Sequence, residues 1–212
     1  MQRRLRARFE EGSVVLDLGS GTGITSALLA RECGLVVYAA DLWSDPSDNM
    51  RFFESLRLSN RRIAPIKANA GEGLPFASGF FDGVVSIDSY NYFGREETYL
   101  DEKLLPYVKP GGHLCFAIPG MRKDCHDCLP ECLRLSWMPD QLDFMHDIAW
   151  WKALIEKSRG ADIVDMFELS CAEEAWEDWP ACDNDYARGD VASIRAGALD
   201  YLSAIGIVLK KR

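Results

Sequence analysis

The stretch from Val14 to Gly23, VVLDLGSGTG, constrains this chain more than any other. Apolar residues around one aspartate run into glycines at alternate positions. Ile24, Ala27 and Leu28 then take up helical spacing, so the stretch predicts strand, tight turn, helix. Glycine suits such a turn because no Cβ stands between the backbone and a ligand, and the following helix offers unpaired N–H groups at its start. The expectation is a nucleotide or nucleoside site.

Two ligand classes use turns of this kind. The dinucleotide fingerprint spaces its glycines G-x-G-x-x-G and accommodates a pyrophosphate, which an acidic side chain in the preceding strand would repel. Here the spacing is G-x-G-x-G, and Asp17 precedes the first glycine. That carboxylate suits a ligand bearing positive charge, such as the ammonium of a methionine moiety, and it argues against a nicotinamide oxidoreductase. At this point the sequence resembles the class I S-adenosylmethionine-dependent methyltransferases. The cradle is assigned to Asp17, Gly19, Ser20, Gly21 and Thr22, with S-adenosyl-L-methionine as the implied cofactor.

Further segments fit in order. Leu35 to Ala40 reads as a buried parallel strand ending at Asp41, about 20 residues past the turn, where a carboxylate accepts ribose hydroxyls. Leu42 and Trp43 are placed to flank a base. Asp45 with Pro46 signals the N-cap and first position of the next helix, expected to run to about Leu58. A third strand over Arg62 to Lys67 leads to Asn69 and Ala70. In the resembled family that loop carries an acid meeting the adenine amino group and a backbone N–H meeting a ring nitrogen. Asn69 replaces the acid, and its amide carbonyl can still accept. Phe80 to Asp88 reads as the fourth strand and delivers Asp88, Tyr90, Asn91 and Tyr92 to the carboxyl edge, where ligands bind in doubly wound folds. Asp88 is counted with the cofactor site; Tyr90, Asn91 and Tyr92 are substrate candidates, with core packing the competing reading for the tyrosines. Arg95 to Leu105 is expected to be a helix, and YVKPGGHL (Tyr107–Leu114) a turn entering strand five, resembling a family segment that marks the fold.

Pro119 to His146 breaks the alternation with charges, prolines and cysteines and is expected to be an insertion or lid. The next helix places Ile148, Trp151 and Ile155 on one face. Trp150 is turned away from it and, with His146, joins the substrate candidates. His146 is the best placed histidine for a general base, should the acceptor arrive protonated; no catalytic residue is assigned. After a sixth strand, the acidic aromatic run EEAWEDW reads as a solvated face with two buried tryptophans, or as part of a pocket for a basic substrate. A last strand over Tyr201 to Leu209 is expected to run antiparallel to the rest. The fold class is therefore α/β: a Rossmann-like, doubly wound, seven-stranded, mostly parallel sheet with an antiparallel C-terminal edge strand and helices on both faces. Residues 1–212 read as a single methyltransferase domain, with 1–12 an N-terminal helical segment and 119–146 the insertion.

Composition narrows the partners. The net charge of −9 comes without a basic stripe, which disfavours nucleic acid. No apolar run approaches the roughly 18 to 20 residues needed to span a bilayer, and a cytoplasmic location is expected. The seven cysteines make no even disulfide framework. Cys125, His126, Cys128 and Cys132 cluster, but one C-x-x-C without a second pair is weak support for zinc, and no metal is expected. The acceptor is read as a small molecule, apolar or cationic. The resemblance implies methyl transfer by in-line displacement. A non-catalytic S-adenosylmethionine-binding module, acting as sensor or partner subunit, is the alternative, and nothing in the sequence fixes the oligomeric state.

Overall fold

The computed structural model describes Leu5 and residues 7–212. The helical segment expected over residues 1–12 therefore lies partly outside the described residues; within it Leu5 and Phe9 are buried against Val15, Leu35 and Val37.

The chain forms β1 (Val14–Leu18), α1 (Ile24–Glu32), β2 (Val36–Asp41), α2 (Pro46–Ser55), β3 (Ile63–Lys67), β4 (Phe81–Ile87) and the single-turn α3 (Tyr90–Phe93). There follow β5 (Val108–Met121), two further short helices α4 (Glu131–Arg134) and α5 (Pro139–Leu142), α6 (Ile148–Ile155), β6 (Ala161–Glu168), α7 (Ala172–Asp178), α8 (Asp185–Arg195) and β7 (Leu202–Lys211). The seven strands make one sheet in the order β3-β2-β1-β4-β5-β7-β6. Pairing is parallel from β3 through β5. The antiparallel strand is β7, bonded to β5 on one side and to β6 on the other. It thus lies one position in from the edge, and β6 is the edge strand.

The strands are apolar on both faces, as a sheet covered twice requires. Leu16, Val84, Leu114, Phe116 and Ile207 face one core, where Trp151 and Ile155 of α6 pack. Their neighbours Val15, Val85, Cys115 and Val208 face the other, under α1 and α2, with Ala27, Leu29 and Phe53. Helix α2 starts as its sequence dictates: Asp45 accepts the Ser47 N–H at 2.7 Å and Pro46 occupies the first turn. A third, smaller core joins the segment after β5 to the C-terminal elements through Met121, Leu133, Trp137, Leu142, Ala198 and Leu202.

The helix expected over Arg95–Leu105 is a departure. Helix α3 closes on Gly94, whose N–H donates to Tyr90 O at 2.7 Å, and winding resumes only at Leu100–Leu104 as a wide π turn. Two contacts flank the break. The Tyr90 ring occupies the space a Gly94 Cβ would need. Asp101 is drawn to the loop before β6, accepting from the Ser158 hydroxyl and from the Arg159 N–H at 2.8 Å. Leu100 and Leu104 nevertheless face inward as their spacing predicts. Among the described residues no helix is long and apolar enough to cross a membrane.

Candidate active site

The turn after β1 takes left-handed backbone at all three glycines, φ being 73° at Gly19, 53° at Gly21 and 87° at Gly23. Their roles differ. A Cβ on Gly19 would lie 1.8 Å from Ser89 Oγ, and one on Gly23 would lie 2.5 Å from the Phe53 ring; at Gly21 nothing stands within 4 Å. The expectation that all three positions clear space for a ligand is corrected accordingly. Gly19 and Gly23 admit neighbouring side chains, and Gly21 alone faces open space. The end of β2 and helix α2 hold this turn in place. Asp41 accepts the Gly21 N–H at 2.9 Å and the N–H groups of Trp43 and Ser44 at 2.8 and 2.7 Å, while Asn49 Nδ2 donates to Gly21 O at 2.9 Å. An ionised carboxylate accepts about four hydrogen bonds, so Asp41 keeps capacity for a ribose hydroxyl.

Beneath the turn Asp17 is buried and accepts from the Ser26 hydroxyl at 2.5 Å through Oδ2. Burial pushes its carboxyl up to about 7, with the Asp41 charge adding and the Ser26 bond opposing. Its Oδ1 has no partner, nor do Ser20 Oγ and Asn91 Oδ1, all buried. Unpaired buried polar atoms are rare in folded proteins. Three of them, at the end of β1, on the turn after it and on α3 just past β4, fit a polar, cation-bearing ligand of the kind the resemblance implies. Thr22 is exposed.

At the end of β3 the Asn69 amide is engaged at both ends: Oδ1 accepts the Gly71 N–H at 3.0 Å and Nδ2 donates to Glu72 at 3.0 Å. Its oxygen retains one lone pair. The Ala70 carbonyl accepts from the Tyr99 hydroxyl at 3.2 Å. Leu42 and Trp43 are both exposed, the indole at 86%.

The carboxyl end of β4 separates the candidates there. Tyr90 is corrected to a core residue: it stacks on Phe116 with centroids 4.0 Å apart and meets Trp151, Tyr99 and Phe93. Its ring faces inward because it sits on the side of α3 turned to the sheet. Asn91 is buried, whereas Tyr92 is exposed and meets Phe144 edge-on at 4.9 Å. Asp88 has left-handed backbone, φ 53°, strained for a residue with a Cβ. Its carboxylate keeps accessible surface yet lies in a concave mouth, and the surrounding protein raises it to about 6 by desolvation.

That mouth opens into a cavity of about 260 Å³ between the ends of β4 and β5 and helices α7 and α8, lined among others by Asp88, Pro119, Trp176, Trp179 and Asp190. Trp179 Nε1 donates to Asp190 at 2.8 Å, and Trp176 Nε1 to Ser203 O at 3.1 Å. Burial raises the Asp190 carboxyl, against the indole hydrogen bonds from Trp179 and Trp137. The EEAWEDW run is thus half-buried at its tryptophans, which face a cavity. Asp190 carried no signal of its own in the sequence; only the chain reversal between α7 and α8 brings it there.

His146 is buried and Trp150 half-buried, their rings stacked 3.7 Å apart at 7°. His146 Nδ1 lies 2.7 Å from Asp124 Oδ2, which leaves Nε2 as its open nitrogen. Burial lowers the His146 imidazole, and Asp124 only partly restores it. His126 belongs to the same group, with Nδ1 2.6 Å from Asp124 Oδ1.

Residues 16–116 match the family described as a methyltransferase domain. Among curated proteins the chain is 34% identical over 111 residues to a demethylmenaquinone methyltransferase of Corynebacterium kroppenstedtii, covering 52% of this chain and 44% of that one. It is 26% identical over 159 residues to the methyltransferase GfsG of Streptomyces halstedii, covering 75% and 56%. The chain therefore spans about half the length of these curated relatives. Among solved structures, a methyltransferase of Geobacter sulfurreducens in complex with S-adenosyl-L-homocysteine superposes with a TM-score of 0.71 at 19% identity, over 100% of this chain and 90% of that one. Geranyl diphosphate C-methyltransferase of Streptomyces coelicolor gives 0.74 at 15%, over 100% and 74%. At such identities the two structures speak for the fold.

Proposed function

We propose that this chain is a class I S-adenosylmethionine-dependent methyltransferase that moves a methyl group to a small molecule carrying an amine. The observation that carries the reading is a juxtaposition. The unpartnered oxygens of Asp17, Ser20 and Asn91 lie on β1, on the turn after it and on α3 just past β4, and a cavity with two indoles and two carboxylates opens at the end of that same β4. When bound, S-adenosylmethionine supplies an electrophilic methyl on a sulfonium and leaves as a neutral thioether.

The protein's part is alignment and charge. Asp17, Ser20, Gly21 and Thr22 would hold the methionine and ribose side, Asp41 and Leu42 the ribose and base, and Asn69 with the Ala70 N–H the adenine edge. Indole faces attract a cation through their ring quadrupole, and Asp190 places a carboxyl group beside them. Asp88, raised to about 6 and facing the same cavity, would take the amine proton. The nitrogen lone pair would then form the new N–C bond as the C–S bond breaks. Holding the two partners in line is worth up to roughly 7 to 11 kcal/mol in favourable cases. We read residues 1–212 as one methyltransferase domain. Of the insertion expected over 119–146, Pro119–Met121 continue β5, and residues 122–146 serve as a cover on the substrate side, where Phe144 meets Tyr92. Seven unpaired cysteines suit a reducing compartment such as the cytoplasm.

Calorimetric titration with S-adenosylhomocysteine, followed by transfer of labelled methyl to panels of amines and phenols, tests both levels. Product binding with labelled amines supports the reading. Labelled phenols alone would overturn the acceptor class and leave the activity. Binding with no transfer to any acceptor would favour a sensor or partner subunit, and no heat at millimolar ligand would overturn the cofactor assignment.

A further inference from the structure

We propose that Asp124, His126 and His146 form a binding site for a divalent cation of the zinc type, independent of the cysteine cluster that surrounds His126 in the sequence. Among the described residues this is the group whose ligating atoms converge, all lying within 4.8 Å of one another. Two imidazoles and one carboxylate are a ligand set that zinc and its neighbours in the first transition row accept, with further positions left to water.

Hydrogen-bond accounting points the same way. Asp124 Oδ1 already accepts the His126 backbone N–H at 3.0 Å, and its two oxygens then face the Nδ1 atoms of both histidines. The other nitrogen of His126, Nε2, faces the Leu142 carbonyl at 3.2 Å. A carbonyl and an ionised carboxylate both only accept. Both ring nitrogens of His126 thus face acceptors. With a cation bound, the ring donates Nε2–H to Leu142 O and turns its Nδ1 lone pair inward, the arrangement by which backbone carbonyls orient metal-binding histidines.

The rest of the site is already held. The His146 ring is fixed by stacking on Trp150, and the two imidazole centroids stand 4.5 Å apart. Asp124 is fixed through its own N–H, which donates to Asp147 at 3.1 Å. Side chains 29%, 21% and 10% exposed at Asp124, His126 and His146 leave a path for an ion and for water. No thiol belongs to the group, and Cys125 Sγ contacts Met121 Sδ instead. Because Met121 N–H donates to His146 O, an ion here would pin the segment after β5 to that strand's end.

The test is titration of the chelator-treated full chain with cobalt(II), a zinc surrogate whose visible spectrum reports its ligands. One equivalent is expected to bind without thiolate charge-transfer bands and to raise Tm. Asp124→Asn and His146→Gln should each weaken binding by about tenfold or more. The Cys125→Ser/Cys132→Ser double variant should bind as the unaltered chain does. Failure of the unaltered chain to take up an equivalent at millimolar cobalt overturns the proposal whether or not any variant folds. So do thiolate bands, or a loss that follows the cysteines.

Discussion

Asp41 accepts the Gly21 N–H at 2.9 Å, so the end of the second strand holds open the turn that follows the first. The bond spans two adjacent parallel strands at their carboxyl ends, where the turn must stand clear of the sheet.

Gly21 and Gly19 are therefore expected to respond differently to alanine. Gly21→Ala adds a methyl in open space at a left-handed residue. It should lower stability by only about 1 to 2 kcal/mol while weakening S-adenosylhomocysteine binding by calorimetry. Gly19→Ala drives a methyl into Ser89 and should cost about 2 kcal/mol or more in urea unfolding. Adding Ser89→Gly should recover part of that loss. Equal effects of the two alanines on folding would contradict the distinction.

Asp17 makes stability depend on pH. A carboxyl raised by burial from 3.8 to about 7 favours the protonated form in the folded state. Its contribution is fully present below the unfolded value and is lost as pH rises through about 7, on the order of 4 kcal/mol in all. Asp17→Asn, neutral at every pH, should gain on the unaltered protein in urea unfolding between about pH 5 and pH 8. A constant difference across that window would refute the assignment. A cationic ligand should offset the loss in the unaltered protein.

Asp88 is expected to govern the acid limb of activity. With its carboxyl near 6, kcat/KM for an amine acceptor should fall as pH drops below that value, because a protonated Asp88 already holds its proton and cannot act as the base. Asp88→Asn should cost about 10² to 10⁴ in kcat and flatten this limb. If the limb survives the substitution, the proton goes elsewhere.

The Trp179–Asp190 pair should act on affinity. Asp190→Asn and Trp179→Leu remove a charge and a ring face, and each should raise KM for a cationic acceptor by about tenfold with a smaller change in kcat. Neutral acceptors of the same shape should lose less. Parallel kinetics on the two acceptor types checks this.

Tyr90, by contrast, should behave as core. Tyr90→Phe keeps the stack on Phe116 and should leave turnover within a factor of a few, whereas Tyr90→Ala should cost about 3 to 5 kcal/mol in unfolding.

What the sequence discloses follows from how local each signal is. The run VVLDLGSGTG carries its own strand, turn and helix entry, and Asp45-Pro46 carries its own cap, so both were legible residue by residue. The alternate use of Val84 and Val85 by opposite cores likewise follows from strand periodicity. Tyr90 was ambiguous because an aromatic residue just past a strand can face the sheet or the solvent, and only the tight closure of α3 on Gly94 decides it. The meeting of Asp124 with His146, and of Trp179 with Asp190, depends on chain reversals that no short window contains. The three glycines looked equivalent in sequence because the side chains that differentiate them, Ser89 and Phe53, lie far along the chain.

The place of β7 sets an order of events on assembly. Since it is synthesised after β6 yet lies between β6 and β5, β6 has no backbone partner until β7 is made. The first five strands can zip together as they emerge from the ribosome, but the outermost one must wait, tethered and unpaired, for a wedge that arrives from behind it. Its exposed ladder during that interval is where misassembly between nascent chains would begin.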